Sequence, residues 1–274
     1  MHFATVSQVN SYLSLFSDNA HMKIEVLGAF GGQSVDCRMT CLLLDDRLAL
    51  DAGCLAQSLP VERQREVRSI LLTHSHIDHV HSLPLFIDNV HGAHGAPVEV
   101  HASAATEHVV RRHLLNNELW PDFARLPHHL HPTVRFHELR EEVPTVIHDL
   151  RVTPIRVDHV VPTFGFLIED ATGAVLWSSD TGATVRFWEI ANQTPKLKAI
   201  FLETSFDVAK QKLADISGHL TPRTLVSELK KLKREVPVIL HHLKPPCVEE
   251  IRREVRELYL PRVELLEQDR TYEF

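Results

Sequence analysis

The segment Thr73–His79 concentrates side chains that can bind a metal, namely His74, His76, Asp78 and His79. Imidazole nitrogens and carboxylate oxygens are ligands that Zn²⁺ and similar divalent ions take in proteins. Placing four such polar groups together without a compensating partner would be costly, so a purely structural role explains the cluster poorly. The sequence therefore predicts a metal site at this segment.

An apolar stretch, Arg68–Thr73, directly precedes the cluster and is typical of a buried strand. Side chains two residues apart face the same way in an extended segment, so His74 and His76 can bind one ion. Asp78 and His79 follow where the chain begins to turn, and they could reach a second ion. We therefore expect two metal ions here.

Four other segments place ligand-type side chains at the ends of predicted strands or at a predicted helix start. Groups on loops beyond strand ends are a common way to assemble a site from distant parts of a chain. The candidates are His159 in Asp158–His159, Asp180 in Ser178–Gly182, His219 in Ile216–Pro222, and His241 and His242 in Val238–Leu243.

Short apolar runs separated by turn residues predict a β-rich first half and a second half of strands followed by helices. We expect two sheets packed face to face with helices outside, an α/β architecture. Strands are predicted at Lys23–Leu27, Met39–Leu44, Leu48–Asp51, Ser69–Thr73, Val98–His101, Thr133–His137, Thr145–His148, Arg151–Val157, Phe164–Glu169, Ala174–Ser178, Ala199–Glu203 and Val238–His241. Helices are predicted at Val80–Val90 with a kink at Pro84, from a Ser103 cap to about Asn116, and at Pro222–Arg234 and Val248–Leu260.

The composition of the 274-residue chain, 44% hydrophobic and 24% charged, is that of an ordinary globular protein. A net charge of −7 argues against a broad surface for nucleic acid or anionic membrane, because such surfaces need excess Lys and Arg. The four cysteines are too few and too scattered for a disulfide scaffold, and reduced thiols fit a cytoplasmic protein. No apolar run reaches the roughly 18 residues that a membrane span requires.

The segment Thr73–His79 resembles the His-x-His-x-Asp-His signature of the metallo-β-lactamase superfamily, and Leu50–Gly53 resembles its Asp-x-Gly turn. The resemblance covers essentially all of residues 22–274 and implies an αββα sandwich, with two mixed β-sheets flanked by helices and a two-metal site at one edge. The implied ligands are His74, His76 and His159 on the first ion, Asp78, His79 and His242 on the second, and Asp180 bridging both. His242 is preferred to His241 because it immediately precedes Leu-Lys-Pro.

The first 21 residues lack the charged start and apolar centre of a signal peptide, whereas a strand begins abruptly after Met22. We expect residues 1–21 to be an N-terminal arm outside the core, and residues 22–274 to form one metallo-β-lactamase-fold hydrolase domain. An ordered arm used in dimer contacts is the alternative.

Three segments resemble those of the class II 3′,5′-cyclic-nucleotide phosphodiesterases. Gly218–Pro222 is similar to their Gly-His-Leu-Thr-Pro element, Leu240–Pro245 to their closing His-Leu-Lys-Pro, and His113–Asp122 to a His-x-x-Asn and Trp-Pro segment. The chain departs from the pattern at Ile77, where Leu is usual, and in its N-terminal arm. Neither departure touches an implied ligand.

This resemblance implies hydrolysis of cyclic AMP or cyclic GMP to the 5′-monophosphate, with two divalent ions that the ligand set predicts to be Zn²⁺. A hydroxide shared by the ions would attack the cyclic phosphate. We expect His219 and Asp78 to be the catalytic residues. His219 would be the general acid or phosphate partner, and Asp78, like Asp180, would be an ionised ligand and not a free base. The alternative for His219 is a solvent-facing residue at a helix start.

Three other functions are alternatives to cyclic-nucleotide hydrolysis. A tRNA 3′-processing endonuclease of the same superfamily would share the metal ligands, but the chain is net acidic and has no long basic Gly/Pro-rich arm. A thioester or lactone hydrolase would need no counterpart of Gly218–Pro222. A metal-stabilised sensor or interaction module would do no chemistry. The expected partner is a small cyclic nucleotide, without nucleic acid or membrane, and a homodimer is expected from the resemblance alone.

Overall fold

The computed structural model describes residues 21–93 and 95–274. Almost all of the predicted N-terminal arm therefore lies outside the described residues, and the predicted domain boundary stays a prediction. The strands are β1 (Lys23–Gly28), β2 (Cys41–Leu44), β3 (Leu48–Leu50), β4 (Ser69–Leu71), β5 (Val98–Ala102), β6 (Pro127–His128), β7 (His131–Pro132), β8 (Val134–Glu138), β9 (Thr145–Ile147), β10 (Leu150–Arg156), β11 (Phe164–Glu169), β12 (Ala174–Trp177), β13 (Leu197–Glu203), β14 (Val238–His241), β15 (Val263–Leu265) and β16 (Thr271–Glu273). The helices are α1 (Leu55–Ser58), α2 (Val61–Gln64), α3 (Ile77–Val80), α4 (Leu83–Val90), α5 (Ala104–His113), α6 (Arg186–Gln193), α7 (Gln211–Ser217), α8 (Pro222–Leu229) and α9 (Val248–Glu257).

Two seven-stranded sheets form the centre of the fold, and β6 and β7 pair separately. The first sheet has the order β16-β1-β2-β3-β4-β5-β8, and the second has the order β15-β14-β13-β12-β11-β10-β9. Strands β3, β4, β5 and β8 are parallel, as are β12 to β15, while the other pairs in both sheets are antiparallel. The predicted sandwich of two mixed sheets flanked by helices is confirmed.

Strand β2 shows how the sheets divide the apolar side chains between two layers. Leu42 and Leu44 belong to a buried cluster that includes residues of both sheets, whereas Leu43 belongs to a second cluster with residues of α1, α4 and α5. Successive side chains of a strand face opposite sides of the sheet. A strand covered on both faces is therefore apolar throughout, as Cys41–Leu44 is.

The C-terminal segment completes both sheets at their edges. Strand β16 pairs with β1, and Met22 and Phe274 exchange backbone hydrogen bonds of 3.2 and 3.1 Å. Strand β15 pairs with β14. Strands β15 and β16 were not predicted because each has three residues and at most one buried side chain, which leaves no apolar run to detect.

The segment after the histidine cluster differs from the prediction. Instead of one helix kinked at Pro84, the chain forms the separate helices α3 and α4, and Pro84 is in the first turn of α4. Proline is tolerated there because its missing N–H would have no partner within the helix. The predicted Ser103 cap is confirmed, since its Oγ accepts a hydrogen bond from the backbone N of Thr106 at 3.1 Å.

The remaining helices differ from the predictions at their ends or were missed. Helices α8 and α9 end at Leu229 and Glu257, earlier than predicted, while α1, α2, α6 and α7 were not predicted. Within the described ranges, no helix has both the length and the apolar character needed to cross a bilayer.

The candidate site forms where strands of both sheets end. Strand β4 leads into His74, β10 into His159, β12 into Asp180, and β14 into His242. Backbone hydrogen bonds join the two sheets at this edge. The N–H of Phe164 donates to the carbonyl of Thr73 at 3.1 Å, and the N–H of His242 donates to that of Ala29 at 2.7 Å. The site is therefore anchored to both layers.

The core packing predicts the effect of one truncation. Phe166 in β11 is fully buried in the cluster that includes both sheets. Phe166→Ala should lower the free energy of unfolding by about 3–5 kcal/mol, because it removes buried apolar surface and leaves a cavity. Urea denaturation measures this. The control Val146→Ala, at a side chain that is 73% exposed in β9, should change stability by less than about 0.5 kcal/mol. Equal effects of the two substitutions would contradict the packing described here.

Candidate metal centre

The predicted ligands converge at the shared edge of the two sheets in two groups. Within each group, the potential ligand atoms lie within 4.8 Å of one another. The first group contains His74, His76, His159 and Asp180, and the second contains Asp78, His79 and His242. The structure thus brings together every residue expected on each ion, although their binding of metal stays a prediction.

Distances within the second group fit one tetrahedral ion. His242 Nε2 lies 3.2 Å from His79 Nε2 and 3.3 Å from Asp78 Oδ2. Two ligand atoms, each roughly 2.0–2.1 Å from a tetrahedral Zn²⁺, are about 3.3 Å apart. The three side chains are therefore spaced as neighbouring ligands of one ion would be.

Potential ligand atoms of the first group are also close to one another. His76 Nδ1 lies 3.2 Å from His159 Nε2, and their ring centroids are 5.0 Å apart with a T-shaped arrangement. His74 Nε2 lies 3.6 Å from Asp180 Oδ2. His76 thus presents a different ring nitrogen from its neighbours, which the spacing of His74 and His76 along the chain did not predict.

Asp180 lies between the groups and faces each with a different oxygen. Its Oδ1 is 3.3 Å from His79 Nε2 and 3.2 Å from His242 Nε2, while its Oδ2 is 3.6 Å from His74 Nε2 and 3.9 Å from His159 Nε2. One carboxylate can therefore serve both groups, as the predicted bridging role requires.

Two buried atoms show that the cluster fits a cation. His74 Nε2 and Asp180 Oδ1 are fully shielded from solvent; His74 Nε2 has no hydrogen-bond partner among the described residues, and Asp180 Oδ1 faces only the ring nitrogens of His79 and His242. An unsatisfied buried polar atom costs about 1–3 kcal/mol. A divalent ion would satisfy both atoms at once, and no side chain in the described ranges does so.

Hydrogen bonds on the far side of the rings fix their orientation. When Nε2 is left free to bind a metal, Nδ1 carries the ring proton and donates it to a second partner. His79 Nδ1 lies 2.7 Å from Asp51 Oδ2, His159 Nδ1 lies 2.9 Å from the Gly218 carbonyl, and His242 Nδ1 lies 2.9 Å from Ser205 Oγ. Each partner is on a different segment, so the rings are held by the tertiary structure.

Two glycines make room for these rings. A Cβ atom on Gly31 would come within 2.6 Å of the His242 ring. Gly218 has a φ of 67°, which favours glycine, and a Cβ there would lie 3.1 Å from His159 Nδ1. Close backbone approach is therefore part of how His159 and His242 are positioned.

The protonation states suit metal binding at most of the histidines. Burial lowers the pKa values of His74, His76 and His159, and lowers the pKa of His242 to about 4. These imidazoles are therefore neutral near pH 7, and a neutral ring nitrogen is what a metal binds.

The carboxylates give the centre a negative potential. Burial alone would raise the pKa of Asp180, but His242 and His79 outweigh it and hold that pKa well below its usual range. Burial would likewise lower the pKa of His79, but Asp180 and Asp51 outweigh it and raise that pKa well above the usual value. A positive charge is therefore favoured between Asp51 and Asp180, which a divalent ion beside His79 would supply.

His219 lies beside the two groups and has a carboxylate partner. Its Nδ1 is 2.8 Å from Glu203 Oε1, and its ring stacks on that of His242 with centroids 5.5 Å apart. The Glu203 carboxylate raises the pKa of His219 against the opposing effect of burial. His219 is buried, so the alternative of a solvent-facing helix-start residue is wrong. Together with Asp180 and His242 it forms a third set of close ligand-type atoms.

Sequence reasoning missed the roles of Glu203, Lys244 and Ser205. Glu203 is fully buried at the end of β13, and an acidic residue closing an apolar strand was the available signal. Lys244 donates from Nζ to Asp78 Oδ2 at 3.2 Å. It follows His242 by two positions, but nothing in the local sequence indicated this contact.

His241 lies close to the ligand groups, with its ring centroid 6.4 Å from that of His242. His241 stacks on Trp177, with ring centroids 3.8 Å apart, and belongs to neither group of ligand atoms. In the segment His113–Asp122, the side chains of Asn116 and Asn117 accept hydrogen bonds from backbone N–H groups of the same segment. That segment thus builds its own turns after α5.

The geometry predicts different roles for the adjacent residues His241 and His242. His242→Ala should reduce the bound metal from about two ions to one or fewer per chain, because it removes a nitrogen that faces both Asp78 and Asp180. His241→Ala should keep the metal, since its ring packs on Trp177. Elemental analysis of dialysed protein measures the metal content, and circular dichroism checks folding. Greater metal loss in folded His241→Ala would move the last ligand by one residue.

The chain is similar to known proteins over most of its length. A curated protein of Yersinia pestis, described as a probable 3′,5′-cyclic-nucleotide phosphodiesterase, is 28% identical over 85% of this chain and 81% of its own length. The crystal structure of unliganded yeast PDE1 aligns with a TM-score of 0.75 at 18% identity, covering 92% of this chain and 99% of that one. Human tRNase Z, short form, aligns with a TM-score of 0.64 at 18% identity, covering 91% of this chain and 98% of that one.

The two structural similarities show the fold, which carries different activities in different proteins. The family is shown by a model described as a beta-lactamase superfamily domain, which matches residues 46–242 and so includes the segments that carry both ligand groups. The chain belongs to the beta-lactamase superfamily, and it is a hydrolase of the kind that depends on divalent metal.

Proposed function

We propose that the protein is a phosphodiesterase with two Zn²⁺ ions that hydrolyses 3′,5′-cyclic nucleotides, cyclic AMP or cyclic GMP, to 5′-monophosphates. The observation that carries the proposal is the pair of ligand groups joined by Asp180, with the His219–Glu203 pair beside them. The description of the Yersinia pestis relative supports the choice of substrate. A homodimer stays a prediction from the family resemblance.

The side chains of the site would have different roles in the proposed reaction. Two bound divalent ions would supply an activated water near neutral pH and neutralise charge on the phosphoryl oxygens. Asp78 and Asp180 act as ionised ligands. With Nδ1 bound to Glu203, His219 keeps Nε2 available to donate a proton to the departing 3′ oxygen. Glu203 supports this role by favouring the protonated ring.

Lys244 adds a positive charge beside the second group. Its ammonium group contacts Asp78, and its side chain is 24% exposed, so it borders both the ligands and solvent. An ammonium group in this position can attract and hold a phosphate oxygen. This fits an anionic substrate despite the net charge of −7.

The alternative is a tRNA 3′-processing endonuclease, because human tRNase Z has a similar fold. The acidic chain argues against it, because holding tRNA requires a broad basic surface. Another hydrolase of this fold, acting on thioesters or lactones, would have no need of a proton donor matched to a phosphate ester.

A substrate panel tests the proposal directly. Zinc-loaded protein is incubated separately with cyclic AMP, cyclic GMP, a 2′,3′-cyclic nucleotide, precursor tRNA and a thioester. The products are resolved by chromatography. We expect cyclic AMP or cyclic GMP to give 5′-monophosphates, with little or no 3′-monophosphate, and a much lower kcat/KM for the other substrates. Cleavage of precursor tRNA without action on cyclic nucleotides would establish the alternative instead.

The role of His219 has its own test. His219→Ala should lower kcat by about 10²–10⁴-fold, the range expected for loss of a general acid. KM and the content of two metal ions should change little. His128→Ala, at an exposed histidine in β6, is the matched control. Loss of metal in the His219 variant would instead make this residue a ligand, as its closeness to Asp180 and His242 permits.

A further inference from the structure

Exposed aliphatic side chains occur on the segments that carry candidate ligands and on helix α7, which ends at Gly218 beside His159. Ile77 and Val160 are each 57% exposed, Leu213 is 49% exposed, and Ile216 is 79% exposed. We call these four side chains the apolar rim. Ile77 stands between His76 and Asp78, and Val160 follows His159. These two side chains of the rim therefore come from the same segments as ligands of the first group.

Helix α7 contributes the other half of the rim. Leu213 and Ile216 are three residues apart and so share a face of the helix. The helix ends at Gly218, whose carbonyl is 2.9 Å from His159 Nδ1, and a Cβ on Gly218 would lie 3.4 Å from the backbone N of Val160. The end of α7 is thus packed against the segment that carries Val160.

The rim and the ligand groups together suit a ligand with two chemically different parts. With divalent ions bound and Lys244 at its side, the metal centre would suit an anion. The rim offers no hydrogen-bonding side chain and gains by being covered with apolar surface. A nucleotide has both parts, since its phosphate is anionic and the faces of its base are apolar rings.

We propose that the apolar rim binds the nucleobase of the substrate through the face of the ring while the phosphate occupies the metal centre. This inference rests on the proposed function and specifies how that site selects nucleotides. The four rim side chains carry no polar group, so they offer no hydrogen bond by which adenine and guanine could be distinguished.

The test measures binding and does not depend on turnover. Calorimetry on zinc-loaded protein compares adenosine 5′-monophosphate with ribose 5-phosphate, which shares the phosphate and sugar but lacks the base. We expect the nucleotide to bind about tenfold more tightly or better, the gain that burial of roughly 55 Å² of apolar surface gives. The double variant Leu213→Ser/Ile216→Ser should lose most of that advantage and bind ribose 5-phosphate as the original protein does.

A matched control uses an exposed aliphatic residue far from the rim in the sequence. Val146→Ser, in β9 at a side chain 73% exposed, should leave the advantage of the nucleotide intact. Equal binding of the two ligands by the original protein, or an unchanged advantage in the double variant, would overturn the inference. So would sedimentation showing that the double variant merely separates a dimer, which would make the rim a contact between subunits. The substrate panel reports on hydrolysis independently, so failure of either proposal can be told from failure of the other.

Discussion

The Asp180 carboxylate, held between two sets of imidazoles, is the interaction on which the site depends. It is almost completely buried, and its oxygens face His79 and His242 on one side and His74 and His159 on the other. A buried carboxylate is costly unless cations or hydrogen-bond donors surround it. The fold tolerates Asp180 because the same surroundings create a place where divalent cations are favoured.

The sandwich architecture explains why the ligands can be both buried and well oriented. One sheet supplies the segment of His74, while the other supplies Asp180 and His242, and backbone hydrogen bonds join the sheets at this edge. The supporting groups lie just beyond strands or a helix: Asp51 behind His79 and Ser205 behind His242 follow strands β3 and β13, and Gly218 behind His159 follows α7. Such a site is organised before a substrate arrives, which favours electrostatic catalysis.

Polar and apolar side chains around the site would recognise different parts of a ligand. The ligand groups and Lys244 provide charge, whereas Ile77, Val160 and the exposed face of α7 provide apolar surface next to it. Superfamily membership settles the hydrolase chemistry but leaves the substrate open, since one fold serves many reactions. The proposed preference for nucleotides therefore depends on these neighbouring side chains more than on the metal ligands.

Local sequence was enough to predict the metal segment and most strands, because the spacing of His74 and His76 and the apolar run Cys41–Leu44 are short-range patterns. Spacing also separated His74 and His76 from Asp78 and His79, whereas the places of His159, Asp180 and His242 came with the family resemblance. The structure brings the same residues together in two groups. The pairing of His219 with Glu203 and the contact of Lys244 with Asp78 came only from the tertiary structure. The reason is physical: Lys244 and Asp78 are 166 residues apart, and only the packing of two sheets, which no local periodicity encodes, brings them within a hydrogen bond.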